Sequence, residues 1–228
     1  MWVSKGWWWL AIGAVAVAAW AARPDSPDTD TSADSPAAST ATKTPAPAPK
    51  SAESKPKPTP STTDWWTDYD PAHFAVQVKR SAAAAKVDPQ LLMAILYNES
   101  YKPHDPEFER AWLRIDSNPA LGIANMHRAA FEDTQRGSRF AGRKWEELPD
   151  HPELAIEAAA WHLRDLAARL PSKPRTELKK HELIALGYNA GQGNMRAFAR
   201  GVKPGSQAQS YLDRLRDNWD KSGEALRA

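Results

Sequence analysis

The stretch DPQLLMAILYNES, residues 88–100, combines the signals of a buried helix with an acid at the end of that helix. Asp88 can cap a helix, and Pro89 suits the first helical position. Four apolar residues at helical spacing predict one buried face: Leu91, Leu92, Ile95 and Leu96. Glu99 follows one turn beyond Ile95, on or beside that face. It is either an acid at the solvent edge of a helix end or a desolvated acid with a raised pKa, able to hold a proton near neutrality.

The amino terminus is apolar and predicts export. After Lys5, residues 6–22 form one apolar run of about 17 residues, which as a helix would span ~26 Å. Three tryptophans at its start, Trp7, Trp8 and Trp9, suit an interfacial aromatic belt. Residues 1–22 are therefore expected to be a membrane anchor. The alternative is a cleaved signal peptide, because Ala19-Trp20-Ala21 resembles a cleavage site.

Two further segments follow the apolar run. Residues 23–63 are rich in Pro, Ala, Ser, Thr and Lys and lack aromatic residues, so a disordered linker is predicted. As a flexible coil this linker would span roughly 35 Å. Residues 65–228 are about the size of one domain with its own core. This organisation predicts a monomeric globular domain, tethered outside the cytoplasm or secreted if the first segment is removed.

The domain is predicted to be all-α, or nearly so. Three Asp-Pro pairs mark helix starts: Asp70-Pro71, Asp88-Pro89 and Asp105-Pro106. Asp150 is expected to cap the long amphipathic segment 151–170, and Thr176 to begin a helix that Gly191 ends. Shorter helices are predicted over 126–135 and 194–201, and a last one over about 206–222. Residues 114–123 are expected to form a small hairpin or a loop.

Composition and motifs exclude several function classes. The net charge is +2 with acids and bases interleaved, which argues against a nucleic-acid surface. Cysteine is absent and the six histidines lack metal-site spacing, so neither a thiol nucleophile nor a metal is expected. Serine-hydrolase elbows and phosphate-binding glycine loops are missing as well. Carboxylates remain as candidate catalysts, and Glu99 is the best placed of them.

Two later segments add to the interpretation of Glu99. They are ALGIANMHRAAFEDT, residues 120–134, and ALGYNAGQGNM, residues 185–195. In the order Glu-Ser, Gly-x-x-Asn, then Tyr-Asn-Ala-Gly, with a long helical segment before the third motif, the chain resembles the lytic transglycosylase family of the lysozyme superfamily. The resemblance covers about residues 72–201 and implies a lysozyme-like helical domain.

The resemblance implies roles for individual residues. Glu99 matches the single catalytic acid of the family. Five residues match positions that contact substrate or line the cleft: Ser100, Gly122, Asn125, Tyr188 and Asn189. Asn125 stands where the family has a glutamine and is one methylene shorter, whereas the Tyr188 hydroxyl is implied to lie close to the catalytic carboxylate.

The spacer between Ser100 and Gly122 is longer than is usual in the family. It carries Trp112, Arg114 and Asp116. We expect Trp112 and the later Trp145 to serve packing rather than sugar stacking. Asp116 is expected to be a solvated loop carboxylate or a cap rather than a catalyst.

The implied function is cleavage of peptidoglycan between N-acetylmuramic acid and N-acetylglucosamine, with anhydromuramic ends as product. No cofactor is implied, and the implied partners are glycan strands and, through the first segment, a membrane. Two alternatives stay open: a hydrolytic muramidase assisted by Asp116, and a non-catalytic wall-binding or scaffold module with the same fold.

Overall fold

A computed structural model describes residues 69–102, 104–136 and 138–228. The predicted anchor or signal peptide (1–22) and linker (23–63) lie outside these residues. These described residues form two short 3-10 segments, Pro71–Phe74 and Trp145–Glu147, and eight α-helices: α1 (Ala75–Ala85), α2 (Pro89–Glu99), α3 (Pro106–Trp112), α4 (Arg128–Gln135), α5 (Pro152–Ala168), α6 (Lys180–Ala199), α7 (Ser206–Asp217) and α8 (Trp219–Arg227). The described region contains helices and no strand longer than a single bridge, so the all-α prediction is confirmed there. None of its helices is both long and apolar enough to cross a bilayer.

The three predicted Asp-Pro helix starts are confirmed. The Asp70 carboxylate accepts the Ala72 N–H at 2.9 Å, and that of Asp88 accepts the Gln90 N–H at 2.8 Å. Asp105 accepts N–H groups of the first turn of α3. Each carboxylate satisfies an amide that has no partner within its own helix.

Helix α2 is the centre of the domain. It packs against α1, α5, α6, α7 and α8, and every residue from Leu91 to Glu99 is buried. Burial therefore extends around the whole helix and is not limited to the predicted apolar face. An acid at the end of α2 is consequently carried into the interior rather than to its rim.

Two predicted helix starts are wrong. Asp150 does not cap α5, since His151 precedes Pro152 without a side-chain cap and the Asp150 carboxylate pairs with Arg110. Helix α6 begins at Lys180 rather than near Thr176. There the carboxylate of buried Glu182 accepts the Lys179 N–H at 2.7 Å and also pairs with an arginine of α7. A long-range ion pair thus removes the expected cap of α5, whereas α6 starts where Glu182, and not Thr176, provides the local cap.

The structure differs from the predicted helix boundaries at two places, Gly191 and Asn218. Gly191 adopts φ 83° and ψ 160°, a conformation that favours glycine. The helix resumes after this kink, so the predicted segment 194–201 forms the second part of α6. The predicted last helix is divided at Asn218 into α7 and α8, where the Asn218 side chain donates to Asn98 Oδ1 of α2 at 2.8 Å.

Residues 114–123 form a loop, not a hairpin. The one described β-bridge joins Leu121 to Met126 and encloses residues 122–125, which we call the 122–125 turn. Gly122 adopts φ +67°, and a Cβ added there would lie 2.8 Å from the Leu148 carbonyl oxygen. Asn125 also has positive φ, at 46°. The turn thus begins at a residue that only glycine can occupy and ends at one that asparagine tolerates better than most residues.

Candidate active site

Glu99 ends α2 with only 7 % of its surface exposed. Each of its carboxylate oxygens accepts one hydrogen bond from a neutral group. Asn125 Nδ2 donates to Oε2 at 3.0 Å, and the Tyr211 hydroxyl donates to Oε1 at 3.1 Å. The sequence-predicted acid is therefore buried, and both oxygens are held in place.

The environment of Glu99 favours its protonated form. Burial raises the pKa of Glu99 above its ordinary value. Hydrogen bonds from Asn125 and Tyr211, then the charges of Lys102 and His104, lower this pKa in part without cancelling the rise. A carboxyl in such an environment can give up a proton to a substrate at a pH where an exposed glutamate is already ionised.

The Asn125 side chain donates hydrogen bonds to Glu99. Besides bonding the carboxylate, Asn125 Nδ2 donates to the Glu99 main-chain oxygen at 3.1 Å. The Asn125 side chain thus orients the acid. The amide oxygen Oδ1 is buried beside Glu99 and has no hydrogen-bond partner among the described residues. This oxygen is an acceptor that a substrate hydroxyl or amide N–H can satisfy.

Tyr188 lies near Glu99 but bonds elsewhere. Its hydroxyl donates to the main-chain oxygen of Ala124 at 2.6 Å and so holds the 122–125 turn. Burial, followed by the charge of Glu99, raises the Tyr188 pKa well above its ordinary value. The hydroxyl therefore stays protonated beside the acid, as a donor to the turn.

The remaining predicted site residues divide into two groups. Gly122 belongs to the turn, and its N–H donates to Glu109 Oε2 at 2.6 Å. The Ser100 hydroxyl donates to the Tyr97 carbonyl of its own helix at 2.8 Å, and Asn189 is exposed. Gly122, Asn125 and Tyr188 thus meet around one turn, whereas the side chains of Ser100 and Asn189 are left for a ligand to reach.

Tyr211 is a site residue that the sequence did not predict. Tyr211 lies beyond the segment that carries the resemblance, and its spacing on amphipathic α7 is that of an ordinary core residue. Its main-chain oxygen accepts Asn98 Nδ2 at 3.0 Å, which fixes α7 against α2 one residue before Glu99. Only the docking of α7 reveals the hydroxyl as a partner of the acid.

The tryptophans and Asp116 lie largely as predicted. Trp145 is 2 % exposed and its Nε1–H donates to the Met126 carbonyl, so the packing prediction is confirmed for this residue. Trp112 is 38 % exposed and stacks on Phe108 with 6.0 Å between ring centroids. Asp116 accepts the Asn118 N–H at 2.9 Å, which is the expected loop cap.

The strongest electrostatic influences on Glu99 in the described part of the chain come from groups other than acids. After burial, the largest shifts of the Glu99 pKa come from two neutral donors, Asn125 and Tyr211, and from two bases, Lys102 and His104. Over the same residues, His, Asp and Glu side chains form no group of three able to hold a metal ion.

Burial of Glu99 predicts a stability difference between the wild type and Glu99→Gln. The pKa of Glu99 is higher in the folded than in the unfolded protein. The stability that Glu99 contributes is therefore fully present below its unfolded pKa and is lost as pH rises through its folded pKa. The substituted glutamine carries no charge, and the Tyr211 hydroxyl can rotate to accept from its amide. We expect the melting temperature of Glu99→Gln to lie a few degrees above that of wild type at neutral pH. Near pH ~4 the two melting temperatures should be the same.

Thermal unfolding of both proteins between about pH 4 and about pH 9 checks this expectation. If the variant melts below wild type at neutral pH, the ionised carboxylate does not destabilise the folded protein.

Comparison with known proteins assigns the family. A search of curated proteins finds no match to this chain. The family model described as "Transglycosylase SLT domain" matches residues 77–212, which is more than half of the chain and spans Glu99, the 122–125 turn, Tyr188 and Tyr211. That family belongs to the lysozyme-like superfamily and comprises peptidoglycan enzymes that cleave glycosidic bonds. With the fold and the buried acid described above, the chain belongs to the transglycosylase SLT domain family.

Proposed function

We propose that this chain is a peptidoglycan lytic transglycosylase in which Glu99 is the single acid and base. The bond cleaved joins N-acetylmuramic acid to N-acetylglucosamine. The observation that supports this most is the buried Glu99 carboxyl, whose pKa is raised and whose two hydrogen-bond partners are neutral. A single carboxyl that alternates between protonated and ionised states suffices when no water molecule has to be activated.

In the first step Glu99 acts as the acid. The protonated carboxyl gives its proton to the bridging oxygen, the bond from that oxygen to the anomeric carbon breaks, and the electron pair leaves with the oxygen. Positive charge develops on the muramic sugar while Glu99 becomes a carboxylate. Asn125 and Tyr211 already aim N–H and O–H groups at its two oxygens, so the new charge is stabilised without rearrangement.

In the second step Glu99 acts as the base. The carboxylate takes the proton of the primary hydroxyl of the same muramic sugar, and the hydroxyl oxygen bonds to the anomeric carbon. An anhydro ring closes and Glu99 is protonated again, ready for the next bond. Water is neither consumed nor released. The 122–125 turn and α7 hold the carboxylate through both steps, which a base within hydrogen-bonding reach requires.

We further propose that residues 1–22 export the domain and residues 23–63 tether it, so that it meets the wall outside the cytoplasm. The support is compositional: an apolar first segment followed by a polar, proline-rich one. A disordered tether of this length would let the domain reach glycan strands beyond the membrane surface.

The product and the role of Asp116 test the proposal. A water-using glycosidase normally needs a second carboxylate within ~5 to ~9.5 Å of the first. Asp116 caps its own loop instead. We expect Asp116→Asn to lose less than about tenfold in activity, well below the 10²–10⁴-fold loss typical of a general base. Mass analysis of muropeptides released from isolated peptidoglycan should show anhydromuramic ends as the main product.

Reducing, hydrated muramic ends together with loss of activity in Asp116→Asn would identify a muramidase. No release by the wild-type chain would indicate a binding module.

A further inference from the structure

A buried pair of ionisable residues lies outside the steps described above. His104 Nδ1 and Glu109 Oε1 are 3.3 Å apart, and their side chains are 1 % and 10 % exposed. Neither group donates or accepts a proton in the proposed reaction. Removing such groups from water is costly, and replacing a buried pair by apolar residues is often neutral or stabilising. A role other than stability would explain why both are present.

The second oxygen of Glu109 indicates that role. Oε2 accepts the Gly122 N–H at 2.6 Å, a short charge-assisted bond. Gly122 begins the 122–125 turn, and the close approach of the Leu148 carbonyl leaves no room for a side chain there. The start of the turn is therefore held through its main chain, by a carboxylate from α3.

The turn transmits this restraint to the acid. The Asn125 N–H donates to the Gly122 oxygen at 2.9 Å and closes the turn, and Asn125 Nδ2 then bonds both the carboxylate and the main-chain oxygen of Glu99. A continuous series of hydrogen bonds thus joins Glu109 to Glu99. Displacing Gly122 by one bond length would displace the Asn125 amide relative to the carboxylate it orients.

We propose that Glu109 is a positioning residue, held by His104, that fixes the 122–125 turn and thereby presents Asn125 to Glu99. The inference rests on the proposed function for its effect on catalysis, whereas its effect on the turn stands independently. Glu109 acts because its oxygen reaches the Gly122 N–H, and not because its negative charge acts on the substrate.

Two conservative variants separate reach from charge. Glu109→Gln keeps the length of the side chain and an oxygen that can accept the Gly122 N–H, but removes the charge. Glu109→Asp keeps the charge and withdraws the carboxylate by about 1.5 Å, one C–C bond. We expect kcat on peptidoglycan to fall about tenfold or more in Glu109→Asp, because this variant loses the charge-assisted bond to Gly122. The fall should be less than about threefold in Glu109→Gln, which keeps an acceptor for that bond. KM should stay within about twofold of wild type in both variants.

Amide hydrogen exchange provides the readout that does not depend on activity. Exchange at residues 121–126 should be faster in Glu109→Asp by about tenfold, while α5 serves as an internal reference and stays at the wild-type rate. Glu107→Asp is the matched control, because Glu107 is an exposed acid on the same helix. It should behave as wild type in both measurements.

The opposite order, with Glu109→Asp more active than Glu109→Gln, would overturn the inference, and so would equal losses or unchanged exchange at 121–126 in Glu109→Asp. If the wild-type chain releases no muropeptides, the proposed function fails while the exchange experiment still decides whether Glu109 holds the turn.

Discussion

Replacing Glu99 with glutamine is expected to reduce peptidoglycan cleavage by about a thousandfold or more. General acid or base catalysis by a positioned group typically contributes 10²–10⁴-fold, and Glu99 is proposed to supply both in turn. Glutamine has nearly the same volume and can bond Asn125 and Tyr211, but it cannot transfer the proton. The loss should appear in kcat, because glutamine fills the same space and leaves the neighbouring side chains in place.

The assay is the rate of muropeptide release from isolated peptidoglycan, with Glu177→Gln as the matched control because Glu177 is exposed in the loop before α6. Thermal unfolding confirms that each variant is folded. Cleavage by Glu99→Gln above a tenth of the wild-type rate would remove Glu99 from the catalytic role.

Removal of the Tyr211 hydroxyl is expected to have the next largest effect. Tyr211→Phe deletes the donor to Glu99 Oε1 and leaves that oxygen buried without a partner. Hydrogen bonds to charged groups contribute about 1.5–3 kcal/mol, which corresponds to a reduction of kcat by about 10- to 100-fold as the carboxylate forms. The same bond lowers the Glu99 pKa, so its loss should move the basic limb of the kcat/KM profile to higher pH.

Tyr188→Phe is the matched comparison, since it also removes one buried hydroxyl near the acid. That hydroxyl donates to Ala124 O and not to Glu99, so we expect a loss below about tenfold and a basic limb close to that of wild type. A larger effect of Tyr188→Phe than of Tyr211→Phe would show that the hydroxyls exchange partners when substrate binds.

Local signals in the sequence predict much of the fold. Asp70, Asp88 and Asp105 cap helices because each contacts amides only two or three residues away. The same logic fails at Asp150, where a long-range ion pair removes the cap, and at Thr176, where a different acid caps the helix and also makes a long-range pair. Asp150 pairs with Arg110, and buried Glu182, which bonds the Lys179 N–H and Arg216, sets the start of α6.

The site shows the same division between local and long-range information. The sequence places Glu99 at the end of an apolar helix, and the burial of that helix follows from its own residues. Tyr211 and Glu109 are different, because their roles depend on where α7 and α3 dock. Nothing within a few residues of either one distinguishes it from an ordinary core tyrosine or a helix-face glutamate.

Whether oxygen from water enters the product decides if Glu99 works as a single carboxyl without an activated water molecule. Peptidoglycan is digested by the wild-type chain in water labelled with heavy oxygen, and the new muramic ends are analysed by mass. We expect anhydromuramic ends without the label, because the attacking oxygen belongs to the sugar itself. Labelled oxygen at the anomeric carbon in most of the new ends, formed as fast as the ends themselves, would contradict this expectation.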